Sequence, residues 1–196
     1  MARKVVIGID EAGRGPLAGP MVIAAVAILG NPVSKRKPDF LRGIRDSKKL
    51  TPRAREAWYR VIKRGVTCRH VVVSARSIDR EGISIVTKKA IAKLLKKFPV
   101  KPDLVLLDGS IYAPPEYRQK TIIRGDEKIP LISAASVIAK VTRDRKMLAL
   151  HKKYPQYNFA RHKGYGTAAH FAAIKKHGLS KIHRKTFCKA VIDRFS

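Results

Sequence analysis

Two apolar runs open the chain, and both read as strands. Val5–Ile9 is continuous and β-rich, and Asp10-Glu11-Ala12-Gly13-Arg14-Gly15-Pro16 breaks it. Met21–Leu29, with Val22, Ile23, Val26 and Ile28, has the length and β-branching of a strand buried on both faces. Residues 31–51 are polar and basic with two prolines and read as a loop. Thr51-Pro52, with Glu56 following, predicts a helix to about Lys63, because proline suits the first helical turn. His70–Ala75 predicts a third strand, and Ile78–Phe98 a helix with Lys88, Lys89, Lys93, Lys96 and Lys97 on its outer side. Leu104–Leu107 and Thr121–Ile123 are short strands that run into Asp108-Gly109 and Gly125-Asp126-Glu127. After Pro130, the positions Leu131, Ala134, Ile138, Val141 and Leu148 form a helical apolar stripe. Residues 151–196 hold a loop with Tyr154, Tyr157 and Tyr165 and a helix near Ala168–Lys176. Strands come first and helices interleave later, which predicts an α/β fold with a mixed sheet flanked by helices. The length suits a single domain over 1–196, with 151–196 as a C-terminal helical segment.

Composition sharpens this picture. Hydrophobic residues make up 45% of the chain, enough for a core and too many for a disordered segment. Lys plus Arg number 43 against 14 Asp plus Glu, a net charge of +29. A polyanionic partner follows, nucleic acid first among them; the plainer reading is a solubilising surface. The two cysteines, Cys68 and Cys188, make neither a disulfide framework nor a zinc cluster, and they suit a reducing cytosol. The longest apolar run, Met21–Leu29, is far short of a membrane span, and Asp10-Glu11 ends the first run too early for a signal peptide. The expectation is a soluble, cytoplasmic, monomeric protein with no membrane partner.

Against so basic a background the acids are informative. Asp10 and Asp108 end strands, Asp126 follows one, and Glu11 adjoins Asp10. Carboxylates gathered at strand ends of an α/β sheet repel one another unless cations neutralise them. Hard oxygen ligands suit Mg²⁺ or Mn²⁺, and a pair of such ions activates water and stabilises a leaving oxygen. The expectation is a metal-dependent nuclease whose basic surface holds the phosphate backbone. An Asp before Gly also simply makes turns, which is the competing reading of Asp108-Gly109. Other motifs fail. Gly13-Arg14-Gly15-Pro16-Leu17-Ala18 matches a dinucleotide fingerprint in form, but a strand follows it instead of a helix. Ser133 and Ser136 lack a nucleophile-elbow context, and no histidine pair has zincin spacing.

Four blocks resemble the ribonuclease HII family, in the family's order and across nearly the whole chain. They are Ile9-Asp10-Glu11-Ala12-Gly13-Arg14-Gly15-Pro16-Leu17-Ala18-Gly19-Pro20, Asp46-Ser47-Lys48-Lys49-Leu50, the run from Ile132 through Asp144, and His162-Lys163-Gly164-Tyr165-Gly166-Thr167. The resemblance implies an RNase H-like fold. It implies hydrolysis of the RNA strand of RNA/DNA hybrids and incision beside single ribonucleotides in duplex DNA, with Mg²⁺ or Mn²⁺ at a two-metal site. The family's catalytic, metal-binding acids carry over onto Asp10, Glu11, Asp108 and Asp126. Gly13, Arg14 and Gly15 resemble the segment that senses the ribonucleotide 2′-OH, the group that separates RNA from DNA at one position. Tyr165 resembles the aromatic that packs on the adjacent deoxyribose, and Ser47, Lys48 and Lys49 a phosphate contact.

The chain departs from the family pattern in places. Gly166 stands where the family usually has Pro. Glu127 beside Asp126 leaves the fourth ligand open by one position, and Asp144 either has a shared role or only pairs with Lys140 one turn back. Alternatives remain in ribonuclease HIII, which usually carries Gly-Thr-Gly at 13–15 and an extra N-terminal domain, in a junction resolvase, and in a non-catalytic basic binder. A pure binder has no use for carboxylates facing a phosphate backbone. Val191–Ser196 shows no clamp-binding motif.

Overall fold

The computed structural model describes residues 4–29, 41, 43–44 and 50–193. Ser47, Lys48, Lys49 and the last three residues lie outside them. Five strands, β1 (Val5–Ala12), β2 (Met21–Leu29), β3 (Thr67–Val73), β4 (Leu104–Asp108) and β5 (Gln119–Ile122), form one sheet in the order β3-β2-β1-β4-β5. The β1–β2 and β2–β3 pairs are antiparallel, and β1–β4 and β4–β5 are parallel, so the sheet is mixed as expected.

Period-two alternation divides the continuous apolar runs between two cores. Ile7, Ile9, Met21, Ile23, Val105 and Leu107 face one side, where α2 (Ala75–Glu81) and α3 (Ile83–Leu95) pack. Val6, Val22, Ala24, Val26 and Leu106 face the other, covered by α1 (Pro52–Gly65) and α5 (Pro130–Lys153). Gly8 sets how closely α5 approaches. A Cβ there would lie 2.6 Å from the Leu131 carbonyl, so only glycine lets the helix start rest on β1.

The remaining helical elements are α4 (Gly125–Lys128), a 3-10 turn at Pro155–Tyr157, α6 (Phe159–His162), α7 (Ala168–His177) and α8 (Lys185–Ile192). The stretch expected to be a tyrosine-bearing loop therefore contains two short helical turns. Tyr157 is core there: it stacks on Phe159 with ring centroids 5.3 Å apart, in a small third cluster with Ala18, Met147 and Ile174.

Several boundaries differ from the sequence-based expectation. β1 continues past Ile9, because Asp10 and Glu11 still pair with Ala24 and Ile23 of β2 while the pairing with β4 ends at Ile9–Leu107. The third strand is Thr67–Val73, and Ser74 instead caps α2, its Oγ accepting from the Ser77 amide at 3.0 Å. The helix expected over Ile78–Phe98 is two helices meeting at Gly82, whose φ is 81°. β5 ends at Ile122, and Ile123 is exposed. Leu148 is exposed while Met147 is buried, because beyond Val141 the core side of α5 turns from the sheet to the C-terminal cluster. None of the described helices is long and apolar enough to cross a membrane.

Candidate active site

Parallel pairing of β1 and β4 brings Asp10 and Asp108 side by side where the two strands part. Asp126, in the first turn of α4, completes a group of three carboxylates whose ligand atoms all lie within 4.8 Å of one another. Asp108 builds the third arm itself: its Oδ1 accepts from the Gly125 amide at 2.6 Å and the Asp126 amide at 3.4 Å. Ser133 Oγ donates to the Asp126 carbonyl and tethers that turn to α5. Asp10 accepts from the Glu11 amide at 2.7 Å and from the Ser136 hydroxyl. Its carboxyl is nonetheless pushed well above the usual carboxylate range, first by burial and then by the charges of Glu11 and Asp108.

Glu11, whose charge acts on Asp10, lines the adjoining groove. Glu127 turns away and is gripped by Arg124, whose Nη2 donates to both its carboxylate oxygens at 2.7 and 2.8 Å. Of the two neighbours Asp126 and Glu127, Asp126 is the one that lies with Asp10 and Asp108. The donor set fits a hard divalent cation: three carboxylate oxygens in reach of one ion, two of the side chains almost wholly buried, and a carboxyl that burial and like charges raise.

The adjoining groove, about 430 Å³, is lined by Gly13, Arg14, Gly15, Lys140 and Tyr165 among others. Two fully buried arginines shape it. Arg184 donates to the carbonyls of Gly13 (2.6 Å), Arg14 (2.7 Å) and Gly19 (3.0 Å). Arg143 donates to those of Pro20 (3.0 Å) and Lys163 (2.8 Å). Together they gather the inward carbonyls of the 13–20 loop and join it to the Tyr165 segment. Gly13 has φ 90°, and a Cβ there would lie 1.9 Å from Arg143 Nε, so the loop closes over the guanidinium only without a side chain. Asp79 holds the start of α8, next to Arg184, by accepting from the Lys185 amide (2.9 Å) and the Thr186 amide (3.1 Å).

Tyr165 is 45% exposed, with the Arg143 guanidinium 5.6 Å from its ring centroid. A Cβ at Gly166 would lie 3.0 Å from the Phe171 ring, so this chain fills with an aromatic edge the space a proline would take. Asp144 does pair with Lys140, at 2.9 Å, and also lies 3.7 Å from Arg55; both cations face the groove. Sequence reasoning left Arg143, Arg184, Arg55 and Ser136 without roles. Among 43 basic residues nothing local marks Arg143 and Arg184 as buried.

A mixed sheet with helices on both faces, carrying acids at the parting of two parallel strands, is the architecture of the RNase H-like fold. The family model described as Ribonuclease HII matches residues 7–190. Ribonuclease HII of Coxiella burnetii (strain Dugway 5J108-111) is 43% identical over 186 residues, covering 93% of this chain and 88% of its own. That of Acetivibrio thermocellus is 46% identical over 190 residues, covering 96% and 72%. The crystal structure of ribonuclease H2 from Pyrococcus horikoshii OT3 superposes with a TM-score of 0.78 at 28% identity, covering 97% of this chain and 98% of that one. The chain belongs to the ribonuclease HII family. It is a metal-dependent endonuclease that hydrolyses the RNA strand of RNA/DNA hybrids.

Proposed function

We propose that this enzyme also incises duplex DNA beside single embedded ribonucleotides, using a two-metal site held by Asp10, Glu11, Asp108 and Asp126. The observation that carries the proposal is the continuity of one groove. Glu11, which follows Asp10 in β1, lies in the same groove as the Gly13–Gly15 turn and the exposed Tyr165 ring, so a nucleotide bound there sits next to the aspartates. Bound divalent cations would supply an activated water and neutralise charge building on the scissile phosphate. The protein's own groups do the rest. The buried carboxylates fix where the phosphate sits, and Lys140 and Arg55, anchored on Asp144, draw the backbone into the groove. The Gly13–Gly15 backbone, whose carbonyls Arg184 holds, approaches the sugar closely enough to sense a 2′-OH. Tyr165 lays its ring against the neighbouring deoxyribose, a contact on the order of 1–3 kcal/mol.

The test is cleavage of a duplex carrying one ribonucleotide, with Mg²⁺, with Mn²⁺ and with chelator. Incision at the ribonucleotide that needs metal is expected; cleavage of long hybrids alone would refute the reading. Tyr165→Ala should cut incision at the single ribonucleotide about tenfold or more, at an unchanged thermal midpoint. Loss on every substrate in proportion to a lowered midpoint would make the ring a packing residue.

A further inference from the structure

The C-terminal segment contains three buried histidines that the chemistry above does not use: His162, His170 and His183. Their bonds to the main chain dictate where each proton sits, since an amide only donates and a carbonyl only accepts. His162 Nδ1 accepts from the Gly164 amide (3.2 Å), so its Nε2 carries the proton and donates to the Tyr157 carbonyl (2.7 Å). His183 Nδ1 accepts from the Ser180 amide (2.9 Å), so its Nε2 is protonated and points at His170 Nε2, 3.0 Å away. That leaves His170 Nε2 as acceptor and Nδ1 as donor, and the partner of Nδ1 is the Tyr165 carbonyl at 2.9 Å. Every assignment agrees with every other, and all three rings are neutral. A further proton on His170 would set two N–H groups head to head. Among the described residues no carboxylate bonds any of the three. The neighbours facing the pair are the His162 ring, stacked on His170 at 4.4 Å, and the Phe159 and Tyr157 rings.

We infer that the His170–His183 pair is a positioning device for Tyr165. His170 holds the tyrosine's carbonyl from the core side while the Thr167 amide (2.9 Å) also donates to it, and His183 forces His170 into the only tautomer that can donate there. The Tyr165 amide donates to the His162 carbonyl (2.9 Å), so the histidine cluster grips the residue on both sides while its ring stands free in the groove. This inference rests on the reading of Tyr165 as the sugar-contacting residue.

Two variants of one side chain separate positioning from packing. In His170→Asn the amide nitrogen stands where Nδ1 stood and keeps the bond to Tyr165. In His170→Gln the amide oxygen stands where Nε2 stood, accepts from His183 Nε2–H and leaves the Tyr165 carbonyl without this donor. The two lose similar packing. On a duplex with one ribonucleotide, His170→Asn should stay near wild-type kcat/KM, and His170→Gln should fall about tenfold at a comparable thermal midpoint, as for one misplaced hydrogen bond. Equal losses in both variants, or none in either, would overturn the inference. Nitrogen NMR of the intact wild-type protein needs no variant. It should show His170 protonated at Nδ1 only and His183 at Nε2 only at neutral pH, and any other pattern would overturn the assignment. Tyr165→Ala, assayed beside them, separates the failures. If it leaves incision unchanged, the sugar-contact reading falls and this inference with it. If it lowers incision while His170→Gln does not, the sugar contact stands and the positioning role is wrong.

Discussion

Asp10 is the residue at which folding and function pull in opposite directions. Burial and the neighbouring charges of Glu11 and Asp108 disfavour its ionised form. A carboxyl raised in this way favours folding when protonated, so metal-free stability falls as pH rises above its ordinary value of 3.8. Asp10→Asn removes that repulsion at nearly constant volume and still accepts from Ser136. Its metal-free thermal midpoint should therefore equal or exceed the wild type's, while cleavage drops by several orders of magnitude. Calorimetry beside a cleavage assay checks both, and near-normal turnover would remove Asp10 from the site. The same contrast separates two adjacent acids. Asp126→Asn should behave like Asp10→Asn. Glu127→Gln weakens the surface pair with Arg124 and should change turnover by less than about threefold, since such pairs contribute little.

At the scale of elements, the contact between α5 and β1 and the histidine-bearing C-terminal segment decide most. Gly8→Ala places a methyl 2.6 Å from the Leu131 carbonyl, so α5 must lift off the strand that carries Asp10. A loss on the order of 1–3 kcal/mol in denaturant unfolding is expected, with weaker metal-dependent activity. The C-terminal segment should respond to pH. Burial pushes His170 and His183 down to about 4, for His170 against the raising effect of its bond to the Tyr165 carbonyl. His162 is lowered too, first by burial and then by the charges of Lys163 and Arg161. A histidine lowered on folding contributes stability that is complete above its ordinary value of 6.5 and is lost as pH falls from there towards about 4. The thermal midpoint should drop across that window, and the drop should be smaller in His170→Asn. A flat profile would mean the rings are not neutral in the folded protein.

At the scale of the whole molecule, a net charge of +29 sits around a small acidic centre. The lysines expected on the outer side of Ile83–Leu95 and just beyond it are exposed, so this charge is available to a polyanion. Each phosphate neutralised on B-form DNA should steepen the fall of binding by about 0.9 log unit per log unit of salt. Titration of Asp10→Asn with a hybrid duplex at several salt concentrations should give a slope of several such units. A slope near zero would mean that the basic surface is not the binding face. The same substitution keeps the substrate uncut during the measurement.

The sequence by itself determined the strands to within a few residues, the mixed sheet and the long helix after Pro130, and it singled out the acids. Runs such as Val5–Ile9 and Met21–Leu29 carry a local periodicity, and carboxylates stand out in a basic chain. It also marked Gly13, Arg14, Gly15 and Tyr165 through their resemblance to a family pattern, and the structure sets them along one groove with Glu11. What tertiary structure alone decided is which like residues differ. Asp126 and Glu127 are neighbours of nearly equal chemistry, and only the Arg124 grip and the Asp108 bonds to α4 set them apart. Tyr157 and Tyr165 lie in one segment, yet one is stacked in the core and the other stands in the groove. Arg143 and Arg184 look like any surface cation until the Gly13–Pro20 loop folds its carbonyls around them. Burial and hydrogen-bond partners arise between segments far apart in the chain, and no local pattern of residue types encodes them.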